Sequence, residues 1–197
     1  MPESYPDLHL DALRELANIG SGTAATALSR MLGRPVDISV PTALALPMAD
    51  AVEAVGAPDT LITAVVLPLV GDLDAIALLM FGAPDAATLC GLLGVEADSE
   101  MGISALAEIG NILGCAYIGA LSTMTQLALE PCPPETATDM LGAIVASVLA
   151  TTAEDTDTAL LLDSELTVEG AECALSFMLA PGRDGVAEIL ARLGLGE

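Results

Sequence analysis

The stretch that decides the fold reads LHLDALRELANIGSGTAATALSRM and occupies residues 8–31. Its apolar and small side chains recur every three or four positions, which predicts one amphipathic α-helix. Asp11, Glu15, Asn18 and Gly22 fall together on the opposite side, within an arc of roughly 60°. We call these four residues the first ridge. The side that faces a core consists of Leu13, Leu16, Ala17, Gly20, Ala24, Ala27, Leu28 and Met31.

The same pattern occurs a second time in the chain. Shifting the sequence by 93 residues, without a gap, aligns the stretch with residues 101–124, MGISALAEIGNILGCAYIGALSTM. This self-similarity indicates an internal repeat. The equivalent polar residues, Ser104, Glu108, Asn111 and Cys115, form the second ridge. The identical pairs are Ala12/Ala105, Leu13/Leu106, Glu15/Glu108, Asn18/Asn111, Ile19/Ile112, Ala27/Ala120, Leu28/Leu121, Ser29/Ser122, Met31/Met124 and Pro41/Pro134.

Short β-favouring runs bounded by Gly, Pro and Asp follow each long helix and predict strands. We predict an α/β fold in which two repeats, related by a pseudo-twofold axis, share a β-sheet while the two long helices carry the candidate active sites. Residues 1–197 form a single domain, with repeat one over about 7–94 and repeat two over about 100–194. The predicted strands are 36–40, 61–70, 75–81, 159–162 and 173–179, and the shorter helices are 48–55, 138–150 and two closing helices that end at Leu93-Gly94 and Leu193-Gly194.

The composition limits the classes of partner. The chain has 28 acidic and 5 basic residues, a net charge of −23, and 53% hydrophobic residues. Such a chain can bury a core, so disorder is excluded. A negative surface without a basic stripe repels phosphate backbones and anionic lipids, which makes nucleic acid and acidic membranes poor partners.

Cysteine usage and the N-terminus indicate a reducing, cytoplasmic location. The four cysteines form no CxxC pair and the chain has one His, His9, so the usual zinc spacings are missing. The first residues lack the positive and apolar regions of a signal peptide.

Residues 109–129 carry no charge and are long enough to cross a bilayer, but polar residues and three glycines interrupt them and no Arg or Lys flanks them. We therefore expect no membrane span.

The chemistry centres on the only two asparagines, Asn18 and Asn111, each of which lies three residues after a Glu. On a helix this spacing places a carboxylate beside an amide that both donates and accepts hydrogen bonds. An amide can hold a water molecule but cannot act as a nucleophile, which suits hydrolysis of an already reactive bond. Two other interpretations stay open: inherited, solvated polar residues, and an unrelated hydrolase with Glu as general base.

With these residues in place, the chain resembles the CheC family of chemotaxis phosphatases. The pattern is Asp/Ser-x-x-x-Glu-x-x-Asn, then 22 residues and a Pro, present twice. Further similarity lies in the Gly71-Asp72-Leu73 turn and in the stretch from Pro133-Pro134 to residues 139–143, so it covers nearly the whole chain. The two copies read Asp11, Glu15, Asn18, Pro41 and Ser104, Glu108, Asn111, Pro134.

The resemblance implies that Glu15, Asn18, Glu108 and Asn111 are catalytic. They would enter the active site of a phosphorylated response regulator of the CheY type and speed hydrolysis of its aspartyl phosphate. Each Asn would orient the attacking water, and each Glu would pair with the regulator's active-site Lys. The regulator would hold the required Mg²⁺, so no cofactor or metal is expected on this chain.

The resemblance leaves the set of partners open. The receptor-modifying deamidase CheD is a second implied partner, with the helix predicted near Asp139 as its docking surface. A non-catalytic adaptor, or a flagellar-switch component, is the alternative to a phosphatase. Switch components usually append further domains, whereas this sequence stops at Glu197 soon after the second closing helix, which favours a stand-alone phosphatase. We expect a monomer.

Overall fold

Helices and strands follow one another in nearly the same order in the two halves of the chain. The computed structural model describes residues 7–151 and 158–194, without the side chains of residues 7–10, 41 and 151, so the side chain of His9 lies outside the described part. The elements are α1 (Asp7–Leu32), β1 (Val36–Pro47), α2 (Met48–Val55), β2 (Leu61–Gly71), β3 (Ala75–Gly82), α3 (Ala83–Leu92), α4 (Glu100–Thr125), β4 (Leu129–Pro131), β5 (Glu135–Met140), α5 (Leu141–Thr151), β6 (Thr158–Val168), β7 (Ala171–Pro181) and α6 (Gly185–Arg192).

One antiparallel sheet contains strands from both halves. Its strand order is β1-β6-β7-β3-β2-β4, and β5 also pairs with β2. The counterpart of β1 is β4 together with β5, that of β2 is β6, and that of β3 is β7. When each strand is exchanged for its counterpart and the order is reversed, the strand order is unchanged. The order therefore has the predicted pseudo-twofold symmetry, with the axis between β3 and β7, and the α/β fold with a shared sheet is confirmed.

The two edges of the sheet correspond to each other residue by residue. Adding 93 to the bounds of β1 gives residues 129–140, the stretch that β4 and β5 together cover. The register of β1 against β6 shifts between Ser39 and Thr42, around Pro41, and Pro134 lies in the gap between β4 and β5. A proline has no backbone N–H to donate to a strand ladder. At one edge β1 therefore changes register near its proline, and at the other edge the strand is divided into β4 and β5.

One predicted boundary is wrong at this edge. We predicted a helix over residues 138–150, but residues 138–140 belong to β5 and the helix α5 begins at Leu141. Thr138 and Asp139 pair with Thr63 and Ile62 of β2, and the backbone N–H of Leu141 donates to Thr60 O at 2.9 Å. The strand ladder to β2 thus outweighs the local helical preference.

The sheet separates two apolar layers. Alternate residues along each strand point to opposite faces. One face packs against α1, α3, α4 and α6, and the other packs against α2 and α5. In β3, for example, Leu79 and Phe81 lie in the first layer while Leu78 and Met80 lie in the second. Both long helices consequently lie on the same face of the sheet.

Glycines allow the long helices to pack closely. A Cβ on Gly110 would lie 2.6 Å from Val65 Cγ2, and a Cβ on Gly114 would overlap Leu67, so α4 lies directly on β2. A Cβ on Gly20 of α1 would overlap the ring of Tyr117 of α4 and lie 3.1 Å from its Cα. Gly20 is therefore the point where α1 approaches the backbone of α4.

The Tyr117 ring fills the space between these helices and the sheet. Its hydroxyl makes a 2.7 Å hydrogen bond with Ser164 Oγ of β6, and its ring lies 5.1 Å, centroid to centroid, from Phe177 of β7. Burial raises the pKa of the Tyr117 phenol, although the Ser164 hydrogen bond lowers it. The hydroxyl is therefore neutral at ordinary pH. It also gives the buried Ser164 hydroxyl a hydrogen-bond partner.

Identical residues of the repeat also secure the ends of the long helices. Ser29 Oγ accepts a hydrogen bond from the backbone N–H of Val36 at 2.9 Å, and Ser122 Oγ donates to Leu127 O at 2.6 Å. Each serine thus ties its helix to the segment that leads into the next strand. The Ser29/Ser122 identity has a structural reason that the sequence alone did not supply.

The helix α4 is long and apolar enough to cross a membrane by length and composition alone. In the described part of the chain it instead packs one side against α1 and the sheet, with Leu106, Ile109 and Leu113 fully buried. A buried core helix passes the same test of length and hydropathy.

We expect Gly20→Ala to lower the free energy of unfolding by about 1–3 kcal/mol, because the added methyl group overpacks the contact with Tyr117. Gly22→Ala is the matched control: nothing lies within 4 Å of a Cβ at Gly22. That control should raise stability by about 0.5–1 kcal/mol through helix propensity. Urea denaturation measures both, and equal shifts of the two midpoints would contradict the close approach of the helices.

Candidate functional site

The first ridge lies on the exposed side of α1. Its core positions Leu13, Leu16 and Ala17 are buried, which turns Glu15 and Asn18 to solvent. The two side chains leave the helix one turn apart, with their Cα atoms separated by about 4.5 Å along the axis. Neither side chain makes a hydrogen bond or ion pair with another described residue.

The second ridge occupies the same side of α4. Ser104, Glu108 and Cys115 are exposed and Asn111 is half buried. Met101, one turn before Ser104, continues the 3-4 spacing of this ridge and is 69% exposed. This apolar side chain extends the exposed side of the second ridge by one turn.

Each predicted pair is brought together on its own helix. Glu15 lies beside Asn18, and Glu108 lies beside Asn111, while the two pairs belong to separate helices. The assignment of these four residues as catalytic stays a prediction. The sequence reasoning missed Met101, although its place in the 3-4 spacing before Ser104 could have revealed it.

The two ridges differ in charge. On α1, Arg14 Nη1 pairs with Asp11 Oδ1 at 3.0 Å, and both side chains are largely exposed, so the pair contributes little to stability. Arg30 is exposed on the same helix and makes no ion pair with a described residue. The helix α4 contains Glu100 and Glu108 but no basic residue. The helix that carries the second ridge therefore has no positive side chain of its own.

Cys115 distinguishes the second ridge most clearly. Cys115 is exposed, and its Sγ lies 3.5 Å from Asn111 Oδ1, within the range of a thiol hydrogen bond. Burial of the thiol and the nearby Glu108 carboxylate raise its pKa, in that order of importance. The first ridge has Gly22 at the equivalent position, with open space around it.

The surface around these residues is open. Asn18 lines a shallow groove along α1 with Ile19, Gly22, Thr23, Thr26, Ala27 and Arg30. Among residues 7–151 and 158–194, no group of three or more His, Cys, Asp or Glu side chains is arranged to hold a metal ion. An open helix surface offers little to enclose a small substrate, but it can insert into a concave site on another protein.

Comparison with known proteins gives two kinds of similarity, in sequence and in fold. The sequence profile described as the CheC-like family matches residues 8–44 and 101–137, the two copies of the repeat. The chain is 31% identical over 203 residues to the CheY-P phosphatase CheC of Bacillus subtilis (strain 168), covering 94% of this chain and 93% of that protein.

Solved structures share the fold. The crystal structure of Thermotoga maritima FliY matches with a TM-score of 0.77 and 20% identity over 99% of this chain and 100% of that chain. The CheX-CheY-BeF₃-Mg²⁺ complex of Borrelia burgdorferi matches with a TM-score of 0.51 and 13% identity, over 85% of this chain and 98% of that chain. At these identities the similarity concerns the fold alone.

We expect Cys115 to react slowly with iodoacetamide at neutral pH and faster as the pH rises, because the thiolate is the nucleophile and the pKa of this thiol is raised. Glu108→Gln should lower that pKa and speed the reaction at a fixed pH. Mass spectrometry of the Cys115 peptide measures the rate, with Glu15→Gln on α1 as the control. Equal rates in the two variants would show that Glu108 does not act on the thiol.

Proposed function

Since the chain belongs to the CheC-like family, we propose that it is a chemotaxis phosphatase, a hydrolase that accelerates loss of the phosphoryl group from a response regulator of the CheY type. The bond that breaks joins the phosphorus atom to the carboxylate oxygen of the regulator's phosphorylated aspartate. The chain acts in the cytoplasm, where such regulators are phosphorylated, and it acts as a monomer, because each helix carries a complete Glu–Asn pair.

One observation carries this proposal. Two Glu–Asn pairs, with Glu15, Asn18 and Glu108 exposed and Asn111 half buried, project from equivalent sides of α1 and α4, which are related by the symmetry of the sheet order. Both helices are fixed by buried apolar faces, so the two side chains of a pair keep their spacing when a partner docks. Preorganised groups on rigid elements are what a catalytic surface requires.

The carboxamides of Asn18 and Asn111 suit the orientation of a water molecule. A carboxamide oxygen accepts a hydrogen bond from the water, while its NH₂ group donates to an oxygen of the partner. The water is thereby held in line with the phosphorus atom and the leaving carboxylate. Because an acyl phosphate is already reactive, positioning of water accounts for much of the acceleration.

The carboxylates of Glu15 and Glu108 anchor the partner. Each is exposed and makes no hydrogen bond or ion pair with a described residue, so it is available to a cation on the docked protein. The resemblance to the CheC family gives this cation as the regulator's active-site Lys. The regulator would hold the required Mg²⁺, and the ion would supply positive charge to the phosphoryl oxygens.

We expect Asn18→Ala/Asn111→Ala to abolish acceleration of dephosphorylation of a CheY-type regulator in Mg²⁺, since no amide remains to hold the water. Each single variant should keep the contribution of the other site, while the altered site loses about 100-fold in rate, as for other single groups that stabilise a transition state. The readout is decay of ³²P-labelled regulator.

The matched control is Glu53→Ala/Ser147→Ala, which removes two exposed polar side chains from α2 and α5 on the other face of the sheet. This variant should retain the wild-type rate. A double asparagine variant that is as fast as the wild type would contradict the site. If the wild type binds the phosphorylated regulator without acceleration, the chain is an adaptor of the kind the sequence left open.

A second role, binding of the deamidase CheD, is favoured by an apolar pair beside α5. Leu61 of β2 and Met140 of β5 are paired across the strand ladder and are 55% and 49% exposed. They lie next to the first turn of α5, which starts at Leu141. We propose that CheD docks on this pair, at the edge of the sheet where α5 begins, and on the adjacent exposed side of α5.

We expect Leu61→Glu/Met140→Glu to lose capture of CheD in a pull-down, because buried charge opposes docking on an apolar surface. The phosphatase rate should be unchanged. Val70→Glu is the control: Val70 is 46% exposed and lies at the other end of β2. If both variants capture CheD as the wild type does, the docking surface lies elsewhere.

A further inference from the structure

The two catalytic asparagines are held differently. Asn111 is half buried, and its Oδ1 accepts a hydrogen bond from Cys115 Sγ at 3.5 Å. Asn18 is exposed, and its carboxamide has no hydrogen-bond partner among the described residues. The residue equivalent to Cys115 is Gly22, which has no side chain. One carboxamide is therefore restrained before a partner arrives and the other is not.

The bond that Cys115 donates is unlike the bonds donated by the serine and threonine hydroxyls of these two helices. The hydroxyls of Thr23, Thr26 and Thr123 each donate to the backbone carbonyl four residues earlier, at 3.1, 3.1 and 2.8 Å. Such bonds to the backbone are the usual outcome for hydroxyl side chains inside helices. The Cys115 thiol instead reaches the side chain four residues earlier.

The thiol is in the correct protonation state to donate. Its pKa is raised by burial and by the Glu108 carboxylate, so it carries its proton at neutral pH. A protonated thiol is a donor, whereas a thiolate beside Asn111 Oδ1 would be repelled by it.

We propose that Cys115 is a positioning residue of the second site, which holds the Asn111 carboxamide in one orientation through its bond to Oδ1, and that the first site lacks this restraint because Gly22 replaces it. This inference rests on the proposed phosphatase function. The thiol uses one of the two lone pairs of Oδ1, leaving the other lone pair and the NH₂ group for water and partner. Because the Asn111 carboxamide is restrained before docking, its side chain loses less conformational entropy when it takes up its position around the water.

The test isolates each site and exchanges the two residues. In an Asn18→Ala background, which leaves the second site, Cys115→Ala and Cys115→Gly should lower kcat about threefold, as expected for one weak hydrogen bond, with KM unchanged. Rates are measured with ³²P-phosphorylated CheY-type regulator in Mg²⁺ at varied regulator concentration. Cys132→Ala, which changes a half-buried cysteine outside both ridges, should leave both constants unchanged.

The reciprocal exchange adds the donor where it is missing. In an Asn111→Ala background, Gly22→Cys should raise kcat of the first site, because the new thiol lies one turn after Asn18 with open space around it. Gly22→Ala adds a methyl group and helix propensity without a donor, so it supplies the reference kcat for a side chain at this position. A gain for cysteine over alanine is therefore specific to the thiol.

The outcomes separate this inference from the function on which it rests. If the Asn18→Ala parent is active and Cys115→Ala leaves kcat unaltered, or alters KM alone, Cys115 does not position Asn111. Equal effects of Gly22→Cys and Gly22→Ala would also overturn the inference. If neither the wild type nor the Asn18→Ala parent accelerates dephosphorylation, the proposed function itself fails.

Discussion

The functional face depends on the contact between α1 and α4 at Gly20. The absence of a side chain there lets α1 approach the Cα of Tyr117, and the Tyr117 ring is held from the opposite side by its hydrogen bond to Ser164 and its contact with Phe177. This arrangement fixes which side of each long helix is buried. Because a helix has one rotational setting once its apolar face is buried, the ridges must point away from the sheet. The orientation of Glu15 and Glu108 toward solvent is thus a consequence of core packing.

Symmetry of the backbone does not make the two sites chemically equal. The sheet order is unchanged when the halves are exchanged, and β1 corresponds in its bounds to β4 plus β5. The residues around the two Glu–Asn pairs nevertheless differ, and substitutions at such exposed positions change the free energy of unfolding little. Gly22 against Cys115 changes how the carboxamide is held, and the arginines of α1 have no counterpart on α4. A duplicated framework therefore carries one chemistry in two different environments.

Much of this arrangement could be predicted from the sequence, and the failures have physical reasons. The long helices, the strands of each hairpin and the closing helices follow from periodicity and from glycines such as Gly94 and Gly194, which adopt positive φ after their helices. The strand β5 was missed because its residues 138–140 precede an apolar helical run, and only pairing with β2 makes them a strand. The hydrogen bond from Cys115 could not be predicted either, because spacing places a thiol near an amide without specifying which acceptor it chooses.

The charge of the chain sets limits on how a phosphorylated partner is recognised. With 28 acidic and 5 basic residues, the surface repels an anionic site at long range. Salt at 0.1–0.15 M largely screens this repulsion beyond roughly 8–10 Å. In the proposed complex, the Glu15 and Glu108 carboxylates become favourable only at contact, where each would meet a cation already positioned on the partner. Long-range steering would therefore oppose this complex. In the proposed function the partner accepts a helix ridge, with its cation beside the Glu and its phosphoryl group beside the Asn. Recognition at contact range discriminates against other anionic proteins, which encounter the same repulsion without the compensating fit.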